Sequence, residues 1–322
     1  MSAITPDTLS ADTGPGGGSP LHAPVDLKTP RSLKERLIER LFGAFAMVSI
    51  LTAAGIVIVL FGESVAFFQQ VSFGQFFGDT QWTPLFSEPH FGIWPLITGT
   101  LLTTLIAISV ALPLGLFAAI YLSEFASPRV RKVAKPSLEL LAGIPTVVYG
   151  YFALSFVTPA IQSFIPGVSG ANALAAGLVM GLMITPIIAS LSEDAIYAVP
   201  RSLREGASAL GGTKVRTIFR VVLPAAASGI TASVILGLSR AIGETMIVAI
   251  AAGMEPNLTL DPREPVQTMT AFIVQVSLGD TPAGSLGFQT IFAVGLMLFL
   301  TTLVFNVISF RLRARLNRGG HA

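Results

Sequence analysis

An arginine and a glutamate lie within one of the longest apolar runs of the chain. Arg240 and Glu244 belong to the segment Ser239-Arg-Ala-Ile-Gly-Glu-Thr245, and their four-residue spacing predicts that they share one helix face. A charge at the bilayer centre costs roughly 2.5–3.5 kcal/mol on insertion scales, so two such residues indicate a specific role. A guanidinium offers fork-shaped donors to a tetrahedral oxyanion. The segment predicts an anion pathway at Ser239, Arg240, Glu244 and Thr245, or alternatively a bridge that only joins helices.

Two functions are predicted for the Glu244 carboxylate. It would hold Arg240 when the site is empty, or it would accept a proton from a protonated oxyanion. Phosphate keeps a proton near neutral pH and sulfate has none to donate, so a buried carboxylate acceptor would favour phosphate.

A polar, basic segment between two apolar runs is the second candidate site, with a helix predicted at about 200–211. Residues 202–205 fit a capping box, and Pro200 suits the first turn of the same helix. Gly211 tolerates the left-handed conformation that ends a helix, and Thr213 can cap the next one. The segment is predicted to be two short helices with a glycine break.

The first of these helices has an apolar face formed by Leu203, Ala207 and Leu210. Glu205 can offer a charge or cap the helix, and small residues such as Gly206 permit close approach by another protein. The alternatives are a docking knob for a protein partner and an ordinary amphipathic loop between two spans.

Composition places the chain in a membrane. Hydrophobic residues make up 52%, charged residues 12%, and the mean hydropathy is +0.72, whereas soluble domains carry about 25% charge. Six runs are long enough to cross a hydrocarbon core of about 30 Å. The fold expectation is an all-α polytopic membrane protein with six transmembrane helices, at about 41–61, 93–122, 138–159, 173–192, 223–253 and 287–310.

Charge placement sets the predicted topology. Apart from Arg240 and Arg263, every Lys and Arg lies before the first run, between the second and third, between the fourth and fifth, or after the sixth. The connecting segments on the other side are acidic. The positive-inside rule therefore predicts that both termini are cytoplasmic, and the basic pI of about 9.1 needs no nucleic-acid partner.

Two segments on the outer side contain apolar residues. The loop at 62–92 is rich in aromatic residues that suggest an anchor at the lipid interface, with contact to a binding protein as the alternative. The apolar piece at 269–276 is too short to span and is predicted to lie on the surface or dip partway into the membrane. Within the spans, Gly143, Pro145 and Pro186 are predicted to interrupt helices, either beside a water-filled path or as simple bends.

Several kinds of chemistry are excluded. The chain has no cysteine, and its three histidines are scattered, so a metal cluster is not expected. The glycine-rich run 206–213 lacks a lysine directly after its second glycine, so it does not fit a phosphate-binding loop. No catalytic residue and no cofactor are predicted for this chain.

The basic segment resembles the cytoplasmic motif of ABC importer permeases of the MetI-like type. Glu205-Gly206-Ala207, Gly211 and Leu223-Pro224 match it at the expected spacing, with Gly206 where alanine is usual. In that family this segment is the coupling helix that inserts into the ATP-hydrolysing subunit. The resemblance implies that ATP and Mg²⁺ bind the partner ATPase and that this chain is a transport subunit, not an enzyme.

The segment 239–246 resembles a signature of Pst-type phosphate permeases, specifically the PstC-like member, and the family's transport-essential Arg and Glu map onto Arg240 and Glu244. Further similarity lies in 143–150, in Leu298-Phe299 and in Asn306. PstA-like subunits share much of this pattern.

The resemblance implies an ATP-driven importer of inorganic phosphate in a bacterial inner membrane. Its partners would be a second, PstA-like permease subunit, two ATPase copies and an external phosphate-binding protein. The resemblance also permits a regulatory complex with a sensor kinase. The alternatives are the same role for sulfate or molybdate, and an ion-coupled secondary carrier.

The predicted organisation has four parts: a disordered cytoplasmic tail at 1–33, a first transmembrane helix with its aromatic-rich external loop at 34–92, a transport core at 93–310, and a basic cytoplasmic tail at 311–322.

Overall fold

The computed structural model describes residues 33–319, with side chains for 34–311; residues 1–32 of the tail predicted at 1–33 lie outside them. The described residues divide into two units, 33–55 and 56–319. The described residues of the first unit, 33–55, are entirely helical. The second unit is described below.

The described chain is almost wholly helical. Three π-helical turns lie at Tyr121–Phe125, Ala153–Val157 and Ile218–Val222. The α-helices are α1 Leu33–Gln70, α2 Phe73–Gly78, α3 Trp94–Ile120, α4 Pro128–Ala142, α5 Thr146–Phe152, α6 Thr158–Phe164, α7 Ala173–Tyr197, α8 Arg201–Ala209, α9 Lys214–Thr217, α10 Leu223–Ile242, α11 Met246–Ala251, α12 Met269–Leu278 and α13 Leu286–Gly319.

The predicted number of spans is confirmed for the described residues. Six helical runs are long and apolar enough to cross a membrane: 34–70, 94–125, 146–164, 173–197, 214–242 and 286–311. The third begins later than expected, because 128–142 form the separate amphipathic helix α4. The fifth ends earlier, because α10 stops at Ile242 and α11 starts again at Met246.

Helices α3, α7 and α10 form the centre of the second unit, and small residues let them pack closely. A methyl group placed on Gly181 would lie 2.7 Å from the carbonyl oxygen of Ala107 in α3. One placed on Gly229 of α10 would lie 2.4 Å from the Cβ of Ala195 in α7. Small residues serve this purpose in membrane proteins, where close van der Waals packing replaces the hydrophobic effect between helices.

The prediction that Pro186 interrupts the fourth span is wrong. Helix α7 runs without a break through this residue. A proline removes one ladder hydrogen bond and crowds the preceding turn, but α7 packs against its neighbours on both sides of it, since Gly181 lies against Ala107 of α3 and Ile188 lies against Gly237 of α10. These contacts stabilise a continuous helix through Pro186.

The aromatic-rich segment at 62–92 contributes to a packed core rather than only to an interfacial belt. Phe67, Phe76 and Trp82 are essentially fully buried, and Trp82 meets Phe272 edge-to-face at a centroid distance of 5.1 Å. Aromatic pairs of this kind contribute about 0.5–1.5 kcal/mol beyond area burial.

The segment at 269–276 is likewise buried, not superficial. It forms α12, whose Met269, Phe272 and Val276 join the same aromatic cluster. Its N-terminus is fixed by Thr268, which caps α12 by accepting a hydrogen bond from the Ala271 amide.

Candidate functional site

The helix predicted at about 200–211 is present as α8, Arg201–Ala209, and it is strongly exposed. None of its residues is buried. Leu203 is 45% exposed and Leu210, directly after the helix, is 91% exposed. An apolar face left open on a polar helix has the character of a contact surface.

The helix begins differently from the prediction. Pro200 is the N-cap residue, and no side chain caps the helix. The predicted capping box at 202–205 is therefore absent, because Ser202 already lies inside the first turn.

The end of α8 agrees with the sequence. Gly211 has φ +78°, its amide donates to the Ser208 carbonyl, and the Gly212 amide donates to the Ala207 carbonyl at 3.0 Å. These two bonds form a Schellman cap, which needs a left-handed residue at Gly211. Thr213 then caps α9 by accepting from the Arg216 amide, as predicted.

The part of α8 that carries Glu205 and Gly206 is open within the described residues. Glu205 is exposed and has no hydrogen bond or ion pair within residues 34–311. A methyl group on Gly206 would meet nothing within 4 Å, and Ala207 is half-buried. Leu223 and Pro224 follow the third π-turn and open α10. The motif thus combines an open helix with the start of a membrane span.

Arg204 attaches α8 to the rest of the unit, and sequence reasoning gave it no role. It donates to Glu124 from Nη2 at 2.8 Å and from Nε at 3.2 Å. It also donates to the carbonyls of Ile196 and Val199 at the end of α7. These partners are distant in sequence, and only the basic character of the segment hinted at such an anchor.

A second ionic cluster joins α4 to α7. Glu193 is fully buried and pairs with Arg131 and with Lys135, whose Nζ lies 2.9 Å from Oε2. Lys135 also pairs with Asp194. Burial by itself lowers the pKa of Lys135, but its hydrogen bonds to Asp194 and Glu193 outweigh that effect and raise the pKa above its usual value.

The charged segment of the fifth span is a helix break rather than a continuous helix. Arg240 lies in the last turn of α10, whereas Glu244 follows Gly243, the C-cap of that helix. The two residues therefore do not share a helix face, and no ion pair joins them in the described structure. The predicted role of Glu244 in holding Arg240 is not what the structure shows.

Arg240 is exposed on the surface of the isolated chain. Its Nε lies 3.3 Å from the sulfur of Met183, and no carboxylate pairs with it within residues 34–311. Ser239, beside it, donates to Asn306 of α13 at 3.3 Å. The guanidinium is therefore held at its base, while its outer nitrogens have no acidic partner in this part of the chain.

Glu244 is buried and anchors the restart of the helix. Its Oε1 accepts hydrogen bonds from the amides of Met246 at 3.1 Å and Ile247 at 3.4 Å, which satisfies donors at the N-terminus of α11. Its own carbonyl accepts from Thr270 of α12 at 2.6 Å. Thr245, half-buried, is the N-cap residue, and its hydroxyl donates to the Gly243 carbonyl.

The break predicted at Gly143 and Pro145 is confirmed, and it lies before the third span rather than inside it. Gly143 ends α4 and Pro145 is the N-cap of α5. Helix α5 then crosses α11 at Gly150, where a methyl group would lie 3.1 Å from the Met246 carbonyl oxygen. The segment 143–150 thus packs directly against the helix that Glu244 caps.

Within the described residues, no group of three or more His, Asp or Glu side chains could hold a metal ion. The described structure therefore has two candidate sites: the exposed cation Arg240 beside the break in the fifth span, and the separate exposed helix α8.

The chain matches the family model described as binding-protein-dependent transport system inner membrane component over residues 111–319. A probable ABC transporter permease protein, YqgH of Bacillus subtilis, is 35% identical over 87% of this chain and 91% of the relative. The phosphate transport system permease protein PstC of Xylella fastidiosa Temecula1 is 32% identical over 85% and 88%. PstC 1 of Mycobacterium tuberculosis H37Rv is 35% identical over 76% and 80%.

Two solved structures share the fold. A bacterial transporter that imports the acidic polysaccharide alginate aligns with a TM-score of 0.56 at 16% identity, over 87% of this chain and 99% of the other. The inward-facing MetNI methionine transporter aligns with a TM-score of 0.51 at 17% identity, over 70% and 94%. At such identities the likeness shows the fold alone.

The six apolar runs, the family match over most of the transport core and the relatives above 30% identity agree with one another. This chain belongs to the binding-protein-dependent ABC importer permeases and is a multi-pass inner membrane protein of that family.

Proposed function

We propose that this chain is the PstC-like permease subunit of an importer that moves inorganic phosphate into the cell. Relatives named PstC cover most of the chain at about one-third identity, which supports the cargo. The observation that carries the proposal is the exposed guanidinium of Arg240, which lies without a carboxylate partner in the described chain beside a break in the fifth span. A cation in that position suits transient contact with an oxyanion.

The four residues Ser239, Arg240, Glu244 and Thr245 form the substrate pathway in this proposal. Arg240 contacts the passing anion directly. Glu244 keeps its carboxylate against the N-terminus of α11, and Oε2 is the atom that would accept the proton of a hydrogen phosphate. The breaks at Gly143 and Pro145 let α5 pack against α11, so they position the same region.

We infer the partners from the family. Two ATPase copies bind ATP and Mg²⁺, and one of them receives α8 through Glu205, Gly206, Ala207 and Gly211, with Leu223 and Pro224 carrying the movement into α10. A PstA-like permease subunit pairs with this chain, and an external phosphate-binding protein delivers the cargo. A sensor kinase is a further partner that the resemblance permits.

The charge distribution supports an orientation with both termini, α4 and α8 on the cytoplasmic side. The four-part organisation is retained as a proposal, with the core at 93–310 as its transporting part. Helix α13 continues beyond 311 to Gly319, so the basic C-terminal tail would begin as part of that helix.

The test is ATP hydrolysis by the complete complex in lipid with its binding protein, comparing phosphate with sulfate. We expect stimulation by phosphate alone. Stimulation by sulfate or molybdate instead would keep the permease role and replace the cargo. Family membership favours this machine over an ion-coupled carrier, and a chain that transports without any ATPase would reverse that preference.

Arg240→Gln tests the residue that carries the proposal. We expect phosphate uptake to fall by at least about tenfold, or roughly 1.4 kcal/mol, with normal assembly of the complex. Met183→Leu is the matched control, because it removes the sulfur beside Arg240, keeps the charge and changes volume little. Unchanged uptake in Arg240→Gln would return Arg240 to a structural role.

A further inference from the structure

A cavity of about 570 Å³ lies between α4, the first π-turn and the start of α8. Its lining includes Arg131, Lys132, Lys135 and Arg201, opposed by a single carboxylate, Glu139. The basic side chains come from two helices that are well separated in sequence, so only the folded chain brings them together.

The four cations are not equivalent. Arg131 and Lys135 are committed to Glu193 and Asp194. Lys132 and Arg201 are exposed, and neither has a hydrogen bond or an ion pair within residues 34–311. Lys132 and Arg201 are therefore available to a ligand. The ion pairs of Arg131 and Lys135 with Glu193 hold α4, which carries Lys132, against α7.

A buried hydroxyl gives a second indication of a ligand. Ser123, in the π-turn that lines the cavity, has a buried Oγ without a hydrogen-bond partner in the described structure. Buried polar groups are nearly always paired. An oxygen-rich ligand that reaches this wall would supply the missing partner.

We propose that this cavity binds the phosphodiester headgroup of an anionic phospholipid. It lies at the ends of two candidate membrane spans, 94–125 and 173–197, and part of its lining is apolar, including Leu122, Ala126 and Pro136. Its volume falls in the range of about 300–1,000 Å³ that holds drug-sized ligands and exceeds what a lone phosphate ion needs. Basic pockets between membrane helices recognise such headgroups.

The position of Arg201 links the lipid site to α8. Arg201 is the first residue of α8, and Lys132 lies on α4. A headgroup held by both side chains would join α4 to α8 and steady the helix whose outer face is otherwise open. This inference concerns a lipid and does not depend on which cargo the protein transports.

The test is native mass spectrometry of the purified full-length chain with phosphatidylglycerol or phosphatidylcholine. We expect preferential retention of phosphatidylglycerol. Each cation near an anionic lipid contributes about fivefold in affinity, equivalent to ~1 kcal/mol. Lys132→Gln with Arg201→Gln should therefore reduce the preference by at least about tenfold.

Three comparisons make the result decisive. Arg129→Gln, which removes a cation of α4 outside the cavity lining, should leave the preference unchanged. Lys132→Arg with Arg201→Lys should also retain it, because the charge is conserved. Equal retention of the two lipids by the wild-type chain, or full retention by the double Gln variant, would overturn the proposal. Displacement of phosphatidylglycerol by millimolar inorganic phosphate would assign the site to the free ion instead of the lipid.

Discussion

At the scale of single residues, Arg240 and Glu244 have separate environments although they are four positions apart. The Arg240 side chain is exposed and rests on Met183, whereas the Glu244 carboxylate is 7% exposed and accepts from the α11 amides. The division follows from Gly243, which ends α10 between them. Because the two side chains have different partners, their contributions can be separated by mutation.

Glu244→Gln tests the proposed choice between phosphate and sulfate. The amide oxygen of Gln can still accept from Met246 and Ile247, so α11 keeps its cap, but the group loses its affinity for a proton. A hydrogen bond to a charged group contributes about 1.5–3 kcal/mol, so we expect the preference for phosphate to fall by at least about tenfold in competition uptake. A variant with wild-type selectivity would remove Glu244 from the pathway.

At the scale of elements, Arg204 is the side chain of α8 that makes hydrogen bonds and an ion pair to other elements of the described structure, while most of the helix surface is exposed. Arg204 reaches Glu124, Ile196 and Val199, while Glu205, Gly206 and the leucines face outward. A helix attached in this way can transmit a push on its outer face into α7 and the end of α3. This division between anchored and open faces supports the proposed coupling role.

Arg204→Met should weaken the attachment of α8. It leaves the Glu124 carboxylate, whose side chain is 9% exposed, without its partner, and breaking such a buried pair costs about 3–5 kcal/mol. We expect a lower thermal unfolding temperature in detergent. Adding Glu124→Gln should recover part of the loss because the unpaired charge is then removed, and a single variant as stable as the wild type would refute the anchor.

Leu210→Asp tests the open face of α8. A charge at this 91% exposed position should not disturb the fold, but it would oppose burial in a partner protein. We expect the ATPase to be lost from the purified complex. Leu260→Asp, at a position 78% exposed in the loop after α11, is the matched control and should retain the ATPase. If both variants retain it, docking does not use the apolar face.

At the scale of the whole molecule, the segments that join the helices of the second unit contribute to a buried core of their own. Trp82 and Phe272 come from segments far apart in sequence and meet in one buried cluster. The Nδ1 of His90 lies 2.7 Å from the Oδ2 of Asp79 on the same loop, within hydrogen-bond distance. In the proposed orientation, this packed surface would face the binding protein that delivers the cargo.

The Asp79 pair predicts a dependence on acid. Burial raises the pKa of Asp79, but the hydrogen bonds from the Gln81 amide and from His90 outweigh that effect and hold the pKa below its usual 3.8. A carboxyl whose pKa is lower in the folded than in the unfolded protein stabilises the folded state at pH values above the unfolded-state pKa. This stabilisation is lost as the pH falls through the folded-state pKa. We expect the Trp82 fluorescence to report loosening below about pH 4. Asp79→Asn should remove this acid-dependent step, and an identical pH profile in the two proteins would exclude the pair as its cause.

The sequence alone was sufficient for features that depend on local pattern. Hydropathy located six spans, the glycine at 211 located the end of α8, and fixed spacing from Glu205 to Pro224 indicated the family. These predictions succeeded because the features depend on neighbouring residues in the sequence. In lipid, the backbone hydrogen bonds of a span are formed within one continuous apolar helix, and a helix that ends in the left-handed conformation favours glycine at that position.

The remaining features arose from contacts between distant segments. The tertiary structure decided that Arg204 meets Glu124, that Glu193 is buried between Arg131 and Lys135, and that the aromatic residues of the segment at 62–92 form a core. It also decided that Glu244 caps α11 rather than pairing with Arg240. No periodicity encodes these pairings, because each depends on where helices cross, and that is set by close packing at small residues of α3, α7 and α10.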